Sequence, residues 1–201
     1  MKEKRPLSLL QLLVHLLAWV PLLLLLWDYW QGQLGLNPIR AITLRTGKTA
    51  LVLLLLSLTV TPLVIFTGKA WLYRLRRPLG LYAFLYATLH LLTFVGLDYG
   101  FDWELVAEAM RSNRFIFAGL ASLLIMVPLA LTSPHAVRLK MGNQRWRKLH
   151  RWTYLAAILA IIHYALLVRQ YYTQPIIFGS ILFVLLAIRL VNALAKRRRL
   201  A

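Results

Sequence analysis

The sequence predicts an all-α integral membrane protein, a bundle of six transmembrane helices. The first observation is composition: 60% of the 201 residues are hydrophobic and the mean hydropathy is +0.66. The second is that the apolar residues form six runs, each close to the ~20 residues that a helix needs to cross a bilayer. The third is that the charges gather in short clusters between these runs. A soluble domain could not bury so much apolar surface.

The six runs form a single membrane domain over residues 1–201. The first run follows a basic N-terminus and is too long for the ~7–15-residue core of a signal peptide, so we interpret it as a transmembrane helix. Between the first two runs, residues 31–48 contain GQLGLNP, which is typical of a turn-rich connection. The predicted spans are about 7–27, 49–66, 79–97, 115–132, 150–168 and 175–195.

The distribution of charge predicts the orientation of the chain. The formal net charge is +18, and the basic residues cluster at residues 1–5, 67–78, 133–148 and 196–199. With six spans these clusters share one side, which the positive-inside rule assigns to the cytoplasm together with both termini. They are expected to meet anionic membrane lipid rather than nucleic acid. The opposite side holds the loop 98–114, which carries four of the six acids: Asp98, Asp102, Glu104 and Glu108.

Two histidines are predicted to lie at the same depth in the membrane. There is no cysteine, so disulfides, thiolate metal sites and iron–sulfur clusters are excluded. His90 lies thirteen residues past Arg77, and His163 lies twelve past Arg151, on spans that rise in the same direction. Both imidazoles should therefore lie ~18 Å from the inner interface. Two histidines at one level on two helices suit the iron of a bis-histidine haem b.

His150 begins the fifth span near the inner interface and could bind a second haem. The residue at that level on the third span is Arg76, fourteen before His90 and on nearly the same face. Arginine is a poor iron ligand but a good partner for a haem propionate or a phosphate. The alternative for a histidine inside the membrane is a packing or proton-relay role, which is our interpretation of His15, a spare ligand candidate. For His150 the alternative is an interfacial residue whose side chain snorkels to the membrane surface. His135 is interpreted as a loop residue.

Two further patterns have plain structural explanations. Tyr82, Tyr86 and His90 recur every four residues, which usually reflects helix packing but could flank a porphyrin. The segment FDWELVAEAM, residues 101–110, predicts a short amphipathic helix at the outer surface, with its acids available for docking a partner.

Three features together resemble one known family. The segments RRPLGLYAFLYATLH (76–90) and RLKMGNQRWRKLHRWTYL (138–155) and the later His163 resemble the ferric-reductase-like transmembrane domain. More closely, the whole chain resembles the haem-binding membrane subunits of bacterial methionine sulfoxide reductase systems. In this resemblance His90 and His163 match the outer haem pair and His150 the inner histidine, whereas Arg76 stands where oxidases of the superfamily have a further histidine.

The resemblance implies a function as well as a fold. The chain would be an electron-transfer subunit in the bacterial inner membrane, with one or two b-type haems and FMN as cofactors. Electrons would come from the quinone pool or a cytoplasmic flavin reductase. They would leave to MsrP, a periplasmic molybdopterin enzyme that reduces methionine sulfoxide in oxidised proteins and is the catalytic subunit.

Two other functions are compatible with the residues alone. A proton or metal-ion transporter could use His90, His163 and His15 as a path across the membrane. A purely structural anchor for a peripheral enzyme is the other, but it leaves the matched depth of the histidines unexplained. A haem spectrum distinguishes the first function from both of these.

Overall fold

The structure, a computed structural model, describes residues 9–168 and 172–198. Within these ranges all regular structure is helical. The predicted features at residues 1–5, the start of the first span and Arg199 lie outside the described residues. The α-helices are α1 (Leu9–Trp30), α2 (Pro38–Thr67), α3 (Tyr73–Leu92), α4 (Trp103–Ser112), α5 (Phe115–Leu131), α6 (His135–Met141), α7 (Asn143–His150), α8 (Thr153–Leu167) and α9 (Thr173–Arg198). A 3-10 turn at Ala70–Leu72 and a π-helical segment at Thr93–Asp98 extend α3 at its two ends.

The helices confirm a multi-pass membrane protein. In the described ranges, four helical runs are long and apolar enough to cross a bilayer: Leu9–Trp30, Pro38–Thr67, Ala70–Asp98 and Thr173–Ala195. The pair α4 and α5 meets the same criteria together but is bent by 111° at its break. A six-span arrangement additionally requires α5, of 17 residues, and α8, of 15 residues, each to cross the bilayer.

The second helix begins eleven residues before the predicted span, so the prediction of a loop through residue 48 was wrong. Asn37 caps α2 by accepting a hydrogen bond from the Arg40 backbone N–H, and Pro38 occupies the first turn, where its missing N–H costs nothing. The threonine hydroxyls in this polar segment are satisfied within the helix. For example, the Thr46 hydroxyl donates to the Ile42 carbonyl oxygen at 2.8 Å.

The chain divides into two compact units, Met1–Thr93 and Phe94–Ala201. In the first unit, α2 and α3 form an antiparallel hairpin whose core includes Leu58 and Ala83, both 0% exposed. The first helix packs on α3 through Tyr86, whose hydroxyl contacts the α1 backbone. Tyr82 and Tyr86, which were predicted to lie on one helix face, therefore take part in helix packing, as expected.

In the second unit α5 packs against α8. The Ser122 hydroxyl donates to the Ala156 carbonyl oxygen at 2.8 Å, and small side chains at Ala156 and Ala157, both fully buried, allow the close approach. The amphipathic helix predicted at 101–110 is confirmed as α4, with Asp102 as its N-cap.

The predicted loop 133–148 is largely helical, which corrects the interpretation of His135 as a loop residue. This histidine begins the short helix α6 and is exposed. Gly142, with a φ of 79°, separates α6 from α7. Since that conformation favours glycine, the residue marks the break between the two helices.

Candidate functional site

His90 is held against α2 by a hydrogen bond and by a close backbone contact. Its Nδ1 lies 2.8 Å from the carbonyl oxygen of Thr43. A carbonyl can only accept, so Nδ1 carries the proton and the lone pair is on Nε2. One helical turn further along α2, the ring lies over Gly47, where a Cβ atom would come within 2.9 Å of the His90 Nδ1.

His163 has the same environment in the second unit. Its Nδ1 lies 2.7 Å from the carbonyl oxygen of Phe115 on α5, which again puts the lone pair on Nε2. The ring lies over Gly119, one turn beyond Phe115, where a Cβ atom would come within 2.7 Å of the His163 Nδ1. The Phe115 ring also lies beside the imidazole, with ring centroids 5.5 Å apart.

These two histidines have the chemistry of metal ligands. Donation of the Nδ1 proton to a backbone carbonyl is the usual way in which a protein orients a ligating histidine and raises the basicity of Nε2. A neutral imidazole so held fits the axial position of a haem iron. The structure places His90 in the first unit and His163 in the second, and their pairing at one depth stays a prediction from the sequence.

His150 has a different set of contacts. Its Nε2 lies 3.1 Å from the Thr132 hydroxyl oxygen, which itself donates to the Pro128 carbonyl oxygen at 2.6 Å. The hydroxyl therefore accepts from His150, and this arrangement puts the proton on Nε2. The imidazole stacks on Trp146 with centroids 3.9 Å apart, and the Arg138 guanidinium lies 4.9 Å from the Trp146 ring centroid.

Sequence reasoning missed the residues around His150. Trp146 also donates from Nε1 to the Thr132 carbonyl oxygen at 3.0 Å, which ties α7 to the end of α5. The available signal was spacing: Trp146 lies four residues before His150, so the two share a helix face. The ligand role of His150 stays a prediction.

The remaining predicted residues have separate environments. Arg76 is half-buried on α3, and its backbone carbonyl accepts a hydrogen bond from the Ser57 hydroxyl at 3.2 Å. Its role toward a propionate or phosphate stays a prediction. The Nδ1 of His15 lies 3.0 Å from the Tyr82 hydroxyl, with the two rings edge-to-face, as expected for a packed histidine.

A haem iron requires fewer protein ligands than a bare metal ion does. Within residues 9–168 and 172–198, no three His, Cys, Asp or Glu side chains are grouped so that they could hold a metal ion. A haem iron needs only one or two axial ligands from the protein, because the porphyrin supplies the rest of its coordination. His90 and His163 each provide one imidazole, and this number of ligands fits that requirement.

The family comparison agrees with the helical membrane fold. Residues 46–161, more than half of the chain, match the family described as "Ferric reductase like transmembrane component". The matched region includes His90 and His150 and ends just before His163.

Similar proteins cover most of the chain, and each bears the name protein-methionine-sulfoxide reductase heme-binding subunit MsrQ. The protein from Rhodospirillum rubrum is 44% identical over 83% of this chain and 80% of its own. That from Azospira oryzae is 42% identical over 94% of this chain and 81% of its own. That from Caulobacter vibrioides is 38% identical over 92% of this chain and 90% of its own. The resemblance seen in the sequence is confirmed: the chain belongs to the ferric-reductase-like transmembrane family and, within it, to the MsrQ subunits.

Proposed function

We propose that the chain is the haem-binding membrane subunit of a methionine sulfoxide reductase system. It would carry electrons through b-type haem from quinol or a cytoplasmic flavin reductase to MsrP, a periplasmic molybdopterin enzyme that repairs oxidised proteins. One observation carries the proposal: His90 and His163 each donate Nδ1–H to a backbone carbonyl, as histidines that ligate a metal through Nε2 do. The names of the relatives support haem as the group that is bound.

Each protein group has a defined task in this proposal. The carbonyl oxygens of Thr43 and Phe115 fix the ring orientation and tautomer of the two proposed iron ligands. Arg76 would neutralise a propionate by a charge-assisted hydrogen bond. His150 is proposed as the ligand of a second haem, and FMN is proposed from the family alone. When bound, haem iron supplies the one-electron chemistry between its ferric and ferrous states.

The proposed topology has six spans in the bacterial inner membrane with both termini in the cytoplasm. At ~1.5 Å per residue, α5 and α8 cover roughly 25 and 22 Å of a hydrocarbon layer ~30 Å thick. Polar flanking residues and local thinning of the bilayer can make up such a difference at small cost. The distribution of basic loops and the acidic segment 98–114 supports this orientation.

A reduced-minus-oxidised visible spectrum of the purified chain tests the proposal. We expect a low-spin haem b signal that is lost in His90→Ala and in His163→Ala. His135→Ala is the matched control, because His135 is exposed on α6 and should leave the signal unchanged. The difference in haem content between the wild type and His150→Ala then measures any second haem bound through His150. No haem in protein made with an adequate haem supply would refute the proposal and favour the transporter.

The topology is tested separately. The natural chain contains no cysteine, so single cysteines introduced in the loops report their side of the membrane by labelling with an impermeant maleimide. Cysteine at Gly142 should react only from the cytoplasm, and cysteine at Gly100 only from the periplasm. Labelling of both positions from one side would exclude an arrangement with both α5 and α8 as spans.

A further inference from the structure

We infer that Gly47 and Gly119 are positioning residues for the two proposed histidine ligands. Each glycine lacks a side chain, which allows an imidazole ring to pack directly against the helix backbone. The inference rests on the proposed function, because it assigns these glycines a task in haem ligation. Neither glycine would touch the iron. Each would act through the histidine above it, by holding the ring where its Nδ1 reaches a backbone carbonyl.

The contact at Gly47 leaves no room for a side chain. A Cβ atom built there would lie 2.9 Å from Nδ1, 3.0 Å from Cε1 and 3.4 Å from Cγ of His90. Carbon atoms in van der Waals contact prefer separations of about 3.5–4.0 Å. An alanine at this position would therefore push the imidazole away from α2, in the direction that lengthens its 2.8 Å hydrogen bond to Thr43.

The contact at Gly119 is tighter. The corresponding Cβ atom would lie 2.7 Å from Nδ1, 2.9 Å from Cε1 and 3.1 Å from Cγ of His163. The hydrogen bond from His163 to the Phe115 carbonyl oxygen is 2.7 Å long, against 2.8 Å for the bond from His90 to Thr43. The hydrogen bond therefore holds the ring close against α5, and alanine at Gly119 should displace it further than alanine at Gly47 displaces His90.

The two units use the same local geometry. In each, the accepting carbonyl and the glycine are four residues apart on one helix, which places them on the same face. The histidine follows its glycine by 43 residues in the first unit and 44 in the second. The same arrangement of carbonyl, glycine and histidine occurs twice, on different helices. A packing accident at one position would not explain both occurrences.

Other helical glycines lack this contact and provide matched controls. A Cβ atom at Gly80 would meet the Ser57 hydroxyl oxygen at 3.5 Å, and one at Gly179 would meet the Ile161 Cγ2 at 3.9 Å. Both are ordinary contacts. Alanine at either position changes helix propensity in the same way as alanine at Gly47 or Gly119, but it leaves the histidines untouched.

The experiment compares Gly47→Ala and Gly119→Ala with Gly80→Ala and Gly179→Ala in the full-length, haem-loaded protein. The readouts are haem retention, the low-spin spectrum and carbon monoxide binding to the reduced haem. Loss of a supporting partner of a metal ligand typically costs 10–100-fold in affinity, so we expect retention to fall by about that factor. The effect should be larger for Gly119→Ala, with high-spin haem and carbon monoxide binding appearing in both variants. The two controls should match the wild type.

A second measurement, made on the wild type, tests the inference even if the glycine variants fail to fold. The ¹⁵N chemical shifts of histidine side chains in the haem-free wild-type protein report the tautomer directly. We expect the Nδ1-protonated form for His90 and His163. The Nε2-protonated form at both would overturn the inference without any variant.

Failure of this inference and failure of the proposed function are distinguishable. If the wild type holds haem and His90→Ala and His163→Ala lose it, while both glycine variants match their controls, the positioning role is wrong and the ligand assignment stands. If the wild type holds no haem, the proposed function itself fails.

Discussion

Tyr86→Phe tests how the first helix is attached to the rest of its unit. Tyr86 is 2% exposed, and its hydroxyl donates to the Ala18 carbonyl oxygen at 2.7 Å and accepts from the Leu22 backbone N–H at 3.2 Å. These two backbone groups are one turn apart on α1, beside Pro21, which has no N–H of its own to donate. The phenylalanine variant keeps the ring and deletes only the bridging oxygen.

The expected cost follows from the two hydrogen bonds. A buried hydrogen bond contributes about 0.5–1.5 kcal/mol net. Interhelical hydrogen bonds in membrane proteins average roughly 0.6 kcal/mol, with a maximum near 1.7. Loss of both should therefore lower the free energy of unfolding by about 1–2 kcal/mol, as measured by reversible unfolding in mixed detergent and sodium dodecyl sulfate.

Tyr82→Phe is the matched control, because Tyr82 lies one turn away on α3 and its hydroxyl has a side-chain partner, His15, at 3.0 Å. Tyr82 is also less buried, so its loss should cost less than that of Tyr86. An equal or smaller loss for Tyr86→Phe would contradict the reasoning. It would show that the Ala18 and Leu22 backbone groups satisfy each other once the hydroxyl is gone.

Three other substitutions have defined outcomes. Asp102→Ala removes the side chain that caps α4 and should destabilise that helix by about 1 kcal/mol, seen as faster hydrogen exchange of its amides but not of those in α5. Ser122→Ala removes the hydrogen bond to Ala156 and should cost about 0.5–1.5 kcal/mol of unfolding free energy; an unchanged value would mean that this bond contributes nothing to α5–α8 packing. Asp28→Asn removes the partially exposed ion pair with Arg45 and should cost under about 1 kcal/mol, less at high salt; a large, salt-independent loss would contradict that.

The apolar runs predicted most helix positions closely. The fourth predicted span, 115–132, corresponds to α5 at Phe115–Leu131, and the sixth, 175–195, lies within α9 at Thr173–Arg198. Such runs are informative because a lipid-facing helix cannot interrupt its apolar surface for long. The start of α2 was predicted wrongly, because its threonine hydroxyls bond to their own helix and make a helical segment look polar.

The histidines were visible in the sequence, but their supports were not. A backbone carbonyl has no sequence signature, so the acceptor roles of Thr43 and Phe115 could be seen only in the fold. Gly47 and Gly119 did carry a signal. A lone glycine inside an apolar helix costs helix stability and usually marks a close approach of another group.

The acceptor type separates His90 and His163 from His150. A carbonyl cannot donate, so it holds an imidazole in one tautomer and keeps the Nε2 lone pair in place. The Thr132 hydroxyl donates to the Pro128 carbonyl oxygen and accepts from the His150 Nε2, so at His150 the proton lies on Nε2. Iron at the His150 Nε2 would also have to displace that hydroxyl, whereas the Thr43 and Phe115 carbonyls engage the opposite nitrogen of their histidines. The proposed ligand role therefore leaves the backbone hydrogen bonds of His90 and His163 in place, whereas at His150 it would break the hydrogen bond to Thr132.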